Sequence, residues 1–306
     1  MVTKVSVPNK IQILHANNLR KFPWLVHGFS TRRGGVSRAY GGHALNLGFT
    51  PHDTRAGVER NRELFLEKLG ADGRKSWPLV TLRQIHSDLI HHVERVSEGH
   101  LTGDGLITDT AGLLLAVLTA DCLPVILVDR KRRAVGVFHA GWRGTVRRIV
   151  EKAVGEMRRS FGSNPRDMVA AIGPGVQGCC YEVGEEVRNK FEAQFAYGSS
   201  LFREVKESDP VRERYPLLFL TARAPGHSDL PVKIFLDLVE ANRRQLIDAG
   251  VPARSIEASA PCTACHSDLL FSFRADKGIT GRLMGLAGIQ PRSQTGGDAR
   301  LSTISG

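Results

Sequence analysis

Apolar residues along this chain keep two different rhythms. Over residues 57–69, GVERNRELFLEKL, positions Val58, Asn61, Phe65 and Leu69 recur near helical spacing and stop before Gly70, which predicts a helix ended by glycine. From Gly112 the rhythm changes to short apolar runs, LLLAVLT, LPVILVD and RAVGVFHAG, separated by polar or turn residues. Runs of that length predict buried strands. The second and third, joined through Arg130 to Arg133, predict a hairpin.

After Gly144, Val146, Ile149, Val150, Ala153, Val154 and Met157 fall on one helical face between arginines and glutamates, predicting a long amphipathic helix. MVAAIGPG predicts a strand running into a glycine-proline turn, and Val183, Val187, Phe191 and Phe195 predict a helical stripe. VKIFLD reads as a strand. Asp237 and Glu240 then resemble a capping box opening a helix that stops at Gly250. Hairpins mixed with helices define an α/β class with mixed sheets. No Pro, Gly and Ser-rich linker divides the chain, since Tyr197 to Ser200 is only long enough for a surface loop. The expectation is one compact domain over residues 1–289 and a loose polar tail over 290–306.

Composition narrows the classes. In 306 residues, 42% hydrophobic and 24% charged content is that of an ordinary globular protein, which excludes collagen, coiled coil and wholesale disorder. The longest apolar run, Gly112 to Val128, is broken by Thr119, Asp121 and Pro124, and the amino terminus lacks the apolar stretch of a secretory signal. A cytoplasmic protein without a membrane span is expected. Five cysteines, an odd number in a chain this large, fit a reducing compartment. The formal charge of +11 is accompanied by arginines spread along the chain, often in pairs but never in a run long enough for a nucleic-acid arm. This reads as solvated basic faces and a generally positive field that small anionic substrates fit equally well.

Three segments end apolar strands with reactive side chains: QIHS at His86, TADCLP at Cys122 and VFHAGWRG at His139. One thiol and two imidazoles are the ligand set of a catalytic zinc that keeps a fourth position for solvent. Such a metal would lower the pKa of its water to about 7, opening hydrolysis and deamination. Spacing alone leaves open whether the three meet. Asp121, beside Cys122, has two readings, proton carrier or turn cap. Gly141 and Gly144 permit close approach to a ligand, and Arg143 at a helix start offers a forked donor for phosphate; a tight turn with a solvent-facing arginine is the alternative. Ser30, Thr31, Arg32, Gly34, Gly35 and Asn46 supply the donors of a ligand-binding loop, or simply turns. Cys179, Cys180, Cys262 and Cys265 invite a four-cysteine zinc site, but adjacent cysteines point poorly at one metal and no second C-x-x-C exists, so none is expected.

GFSTRRGGVS, NLG, QIH, DGLIT, TADCLP, VGVFHAGWRG, AIGPG with CCYEVG, FLDL and CTACHSDLLFSFRAD, in this order, closely resemble the YfiH-like family, also called the multicopper polyphenol oxidase (laccase-domain) or peptidoglycan editing factor family. The resemblance runs from about Phe22 to Ile289. It implies a four-layer α/β/β/α sandwich distantly similar to the catalytic domain of cytotoxic necrotizing factor toxins, and a zinc held by the motif residues His86, Cys122 and His139. It also implies action on purine nucleosides: phosphorolysis of adenosine, inosine, guanosine or methylthioadenosine, and adenosine deamination. A second implied activity is hydrolytic removal of serine from a UDP-muramyl precursor through Cys and His, and a third is copper-dependent phenol oxidation. The last is disfavoured, because the eleven histidines form no H-x-H pairs and only one adjacent doublet, His91-His92. A non-enzymatic anion or nucleic-acid binder is the remaining, weaker alternative. Ser87 and Gly105 stand where glycine and alanine are frequent in the family, a departure that bears on pocket shape.

Overall fold

The computed structural model describes residues 10–71, 77–96, 99, 101–206 and 232–291. Its elements are β1 (Ile13–Leu14), α1 (Asn17–Arg20), β2 (Leu25–Ser30), β3 (Arg33–Ser37), α2 (Arg55–Lys68), β4 (Leu79–Val80), β5 (Ile90–His92) and β6 (Gly105–Thr108). There follow β7 (Leu114–Thr119), β8 (Leu123–Asp129), β9 (Ala134–Ala140), α3 (Trp142–Val146), α4 (Ile149–Phe161) and β10 (Met168–Ile172). The remainder comprises β11 (Glu182–Val183), α5 (Glu185–Gln194), β12 (Phe202–Lys206), β13 (Val232–Leu236), α6 (Leu238–Asp248), β14 (Ile256–Glu257) and β15 (Leu283–Ile289). One sheet runs β1-β2-β15-β7-β4, a second β14-β10-β8-β9-β6-β5, and a small third β11-β13-β12. Parallel pairs β4·β7, β10·β14 and β5·β6 among antiparallel ones make the two large sheets mixed, as the α/β reading expects.

Why the apolar runs are continuous follows from where alternate side chains go. Along β8, Leu123, Val125 and Leu127 pack toward α4 and α6, whereas Ile126 and Val128 enter a cluster shared with Leu115 and Val117 of β7 in the other large sheet. Both faces of β8 and β9 are covered, so neither strand has room for polar alternation. On the far side of the β7 sheet, Leu114, Ala116 and Leu286 pack with Phe65 of α2.

The predicted hairpin forms, with Asp129 paired to Ala134 and Leu123 to Ala140. The helix read over 57–69 begins earlier, at Arg55, because the Thr54 hydroxyl caps it by accepting from the Gly57 amide. Asp237 caps α6 by accepting from the Glu240 amide at 2.9 Å, but the Glu240 carboxylate turns to Arg243 and Arg244 instead of closing the box.

Three expectations need correction. The long helix after Gly144 is two helices, because Arg148 takes a left-handed φ of 65° between α3 and α4. The stripe from Val183 to Phe195 spans two elements, with Val183 in β11 and only Val187 and Phe191 inside α5. Tyr197 to Ser200 belongs to a 3-10 turn that buries Gly198 and Leu201. Most of the proposed tail, 292–306, lies outside the described residues.

Candidate active site and metal centre

Two of the predicted residues share one end of the β8–β9 hairpin. Cys122 immediately precedes β8, and His139 is the penultimate residue of β9, paired across to Pro124. His86 arrives from the loop before β5, where its backbone adopts a left-handed φ of 57°. A histidine there is uncommon and must be held by its surroundings. The holder is Asp104, a fully buried carboxylate that accepts from the amides of Ile85 at 3.2 Å, His86 at 3.0 Å and Ser87 at 2.6 Å, and from the Ser87 hydroxyl at 2.7 Å. Asp104 also lies 2.8 Å from Nδ1 of His139. One side chain thereby positions two imidazoles.

One donor atom from each of His86, Cys122 and His139 lies within 4.8 Å of the others. The imidazole rings of His86 and His139 meet edge to face with centroids 4.8 Å apart. Gly141 makes this closeness feasible, because a Cβ there would stand 2.8 Å from the Cys122 Sγ and 3.1 Å from the His86 ring. Burial by itself would raise the Cys122 thiol, but attraction and hydrogen bonds from His139 and His86 outweigh it and bring it down to about 6. For His139, burial would lower the imidazole, yet the Cys122 charge and the Asp104 hydrogen bond lift it to about 9. Asp104 is held down to about 2, its burial overcome by His139 and Ser87. A borderline-soft divalent cation suits one thiolate and two imidazoles, and the carboxylate behind His139 is the usual partner of a metal-binding histidine.

The three side chains open onto a cavity of about 630 Å³. Its walls carry Phe49, Trp142, Tyr181 and Phe273, with Arg143, Arg274 and Arg282 among them. Arg143 is exposed, stacks 4.4 Å above Trp142 and makes no salt bridge among the described residues. Arg274 instead donates to the Glu182 carbonyl, and Arg282 to those of Thr280 and Gly281. The helix that carries Arg143 has only five residues, so an anion there would rest chiefly on the side chain.

The other candidates hold the walls in place. Asp121 lines the cavity, but its carboxylate accepts from the Thr263 hydroxyl and the Arg274 amide, both at 2.7 Å, which organises the turn. Gly144 would carry a Cβ 2.9 Å from the Ser87 carbonyl, so it seats α3 against the His86 loop. Ser30 accepts from the Met284 amide, and Arg32 is held by Ser267, Tyr40 and Asp276 over the Phe271 ring. Asn46 binds Gly48 and the Arg282 amide, two neighbours that line the cavity. None of Ser30, Arg32 and Asn46 lines the cavity itself.

Sequence reasoning passed over Asp104 and the aromatic walls. Asp104 opens the DGLIT segment, and Tyr181 and Phe273 sit inside CCYEVG and FSFRAD, so the letters were present without a periodicity to mark them. It also misjudged the remaining cysteines. The Sγ atoms of Cys179 and Cys180 both approach that of Cys265, at 3.4 and 3.3 Å, and the four thiols of Cys179, Cys180, Cys262 and Cys265 lie within 4.8 Å of one another.

A mixed α/β domain thus carries a Cys, His, His group able to hold a metal ion at one end of a buried hairpin, beside a cavity of about 630 Å³. The chain belongs to the family described as multi-copper polyphenol oxidoreductase laccase, whose signature matches residues 26–290. It is 32% identical over 275 residues to the purine nucleoside phosphorylase YlmD of Bacillus subtilis strain 168, covering 87% of this chain and 89% of that protein. It is 35% identical over 260 residues to adenosine deaminase RL5 from an unknown prokaryotic organism, covering 81% and 88%. Among solved structures, the Bacillus licheniformis hypothetical protein YfiH superposes with a TM-score of 0.75 at 31% identity, covering 92% and 97% of the two chains.

Proposed function

We propose that this chain is a zinc enzyme of purine nucleosides, catalysing their phosphorolysis and the deamination of adenosine. The observation that carries the reading is the convergence of His86, Cys122 and His139 at the base of an aromatic cavity. When bound there, zinc would supply Lewis acidity at the reacting centre. Asp104 keeps the His139 ring oriented and its Nδ1 proton in place, leaving the other nitrogen for the metal. The rings of Phe49, Trp142, Tyr181 and Phe273 give a flat purine apolar faces, and Arg143 supplies a forked cation for phosphate. Asp121 holds the Thr263 and Arg274 segments against the cavity, a positioning role. In phosphorolysis a phosphate oxygen bonds to the anomeric carbon as the glycosidic bond breaks and the purine leaves with a proton. Zinc rather than copper is favoured by the mixed donor set of one thiolate and two imidazoles, since the other ligand group among the described residues is made of cysteines alone and adds no histidine-rich copper site. Five free thiols suit the reducing cytoplasm, and no helix among the described residues is long and apolar enough to cross a membrane.

The decisive experiment incubates metal-analysed wild-type protein and His139→Ala with adenosine, with and without phosphate. Adenine formed only with phosphate supports phosphorolysis, inosine supports deamination, and neither product from zinc-loaded protein rejects the reading.

One observation favours a second reading. Cys122, His139 and Asp104 form a thiol, imidazole and carboxylate series like that of a nucleophilic hydrolase. In that case the Cys122 sulfur would attack the seryl amide of a muramyl nucleotide, release serine, and give up the acyl group to water. Full activity on such an amide in the presence of a chelator would favour this reading over the metal one.

A further inference from the structure

Outside the cavity, four cysteines from two distant segments gather at one point. Cys179 and Cys180 lie in a turn after β10, closed where the amides of Cys180 and Tyr181 both donate to the Gln177 carbonyl, at 2.9 and 2.8 Å. That turn sends two adjacent side chains to the same side, which an extended backbone would not do. Cys262 and Cys265 come from a C-x-x-C turn more than eighty residues later. The segments are already joined by a bridge between Gly175 and Cys262 and by the Thr263 amide donating to the Gly175 carbonyl at 3.1 Å.

We propose that Cys179, Cys180, Cys262 and Cys265 form a second metal centre, a tetrathiolate site for a single zinc ion that clamps these two segments together beside the catalytic cavity. A tetrahedral zinc with Zn–S bonds of about 2.3 Å spaces its sulfurs by about 3.7 Å. The thiols meet that demand, lying within 4.8 Å of one another with two separations of 3.3 and 3.4 Å. An iron–sulfur cube would hold its four thiolates at separate corners, farther apart than this group allows. Four thiolates around a divalent ion leave a surplus of negative charge, and the surroundings answer it. Arg203 donates to the Gly178 carbonyl at 3.3 Å, which brings a cation to the residue beside the first cysteine pair. Four ligands close the coordination sphere, so the site is structural rather than catalytic. On binding, four S–H bonds release their protons to solvent as four S–Zn bonds form, with no change of oxidation state.

The location gives the clamp a purpose. Val176, just before the first cysteine pair, donates its amide to the Asp121 carbonyl at 2.8 Å, and Thr263, between the second pair, donates its hydroxyl to the Asp121 carboxylate. Tyr181, next to Cys180, is part of the cavity wall. Zinc at the four thiols would therefore brace the turn that presents Cys122, without touching substrate.

The test measures zinc per chain in full-length protein purified under reducing conditions, for wild type, Cys179→Ser with Cys265→Ser, and His139→Ala. The double serine variant is expected to lose one equivalent relative to wild type, irrespective of what His139→Ala loses. Unchanged zinc in the double variant would overturn the site. Because that variant can misfold, wild-type protein is also alkylated with and without chelator and the modified cysteines mapped by mass. At least tenfold slower modification of Cys179, Cys180, Cys262 and Cys265 with zinc present supports the proposal. Equal rates, recovery of these cysteines as disulfides, or iron in place of zinc would overturn it. Neither readout depends on which reaction the cavity catalyses.

Discussion

Asp104 sits 2.8 Å from Nδ1 of His139 and simultaneously accepts the amide of His86 at 3.0 Å, so one buried carboxylate fixes two imidazoles from separate segments. Replacing it with Asn keeps the volume but removes the charge and places an NH2 group among donors. Asp104→Asn is expected to weaken zinc affinity by about 10 to 100-fold, the range seen when such outer partners are lost. Competition with a chromophoric chelator measures this. Unaltered affinity would remove Asp104 from the site.

Close packing at Gly141 gives a second expectation. A methyl group there would stand 2.8 Å from the Cys122 Sγ, inside contact distance. Gly141→Ala should destabilise the fold by about 1 to 3 kcal/mol through overpacking and impair activity more than its stability loss explains. Urea unfolding beside initial rates makes the comparison, and wild-type values in both would refute the crowding argument.

Arg143 stacks on Trp142 and makes no salt bridge among the described residues, though its charge reaches Glu186. If it binds phosphate, Arg143→Ala should raise the KM for phosphate by about 10 to 100-fold, corresponding to one charge-assisted hydrogen bond. Adenosine deamination, which uses no phosphate, should change far less. Equal damage to both reactions would point to a general role in shaping the cavity.

A pH effect on stability is expected away from the site. His27 is buried and donates through Nε2 to the Ala16 carbonyl at 3.3 Å. Desolvation, aided by the neighbouring His15, lowers it from 6.5 to about 4. Below 6.5 the unfolded chain takes up a proton that the folded state refuses until about 4, so stability falls with falling pH across that window. The loss from this one residue amounts to roughly 3 kcal/mol. His27→Gln, which keeps the donor but cannot titrate, should show a correspondingly smaller loss in urea unfolding between about pH 7 and pH 4. Parallel pH profiles for the two proteins would rule His27 out as the cause.

The parts of the fold legible in the sequence were those whose side chains answer to a local period. LPVILVD and RAVGVFHAG predicted β8 and β9 because both faces of those strands are buried, and the hairpin in turn brought Cys122 near His139. Arg148 escaped notice since the apolar phase continues through it from Val146 to Ile149 while the backbone does not. Asp104 escaped for a different reason: its partners are three consecutive amides and a histidine over thirty residues away, a pattern with no period. The four-thiol cluster was misjudged because the direction of adjacent cysteines depends on a turn closed by Gln177, which spacing does not disclose.

Leu123 faces Ala140 at the end of a hairpin whose every strand residue is buried, while Phe49, Tyr181 and Phe273 come from segments scattered elsewhere in the chain. The reactive end and the surfaces that choose its guest thus belong to separate parts of the architecture. Exchanging the loop that carries Phe49 would redraw one wall and leave the sulfur and imidazole at their separation, whereas the Tyr181 and Phe273 segments also hold the Asp121 turn that presents Cys122.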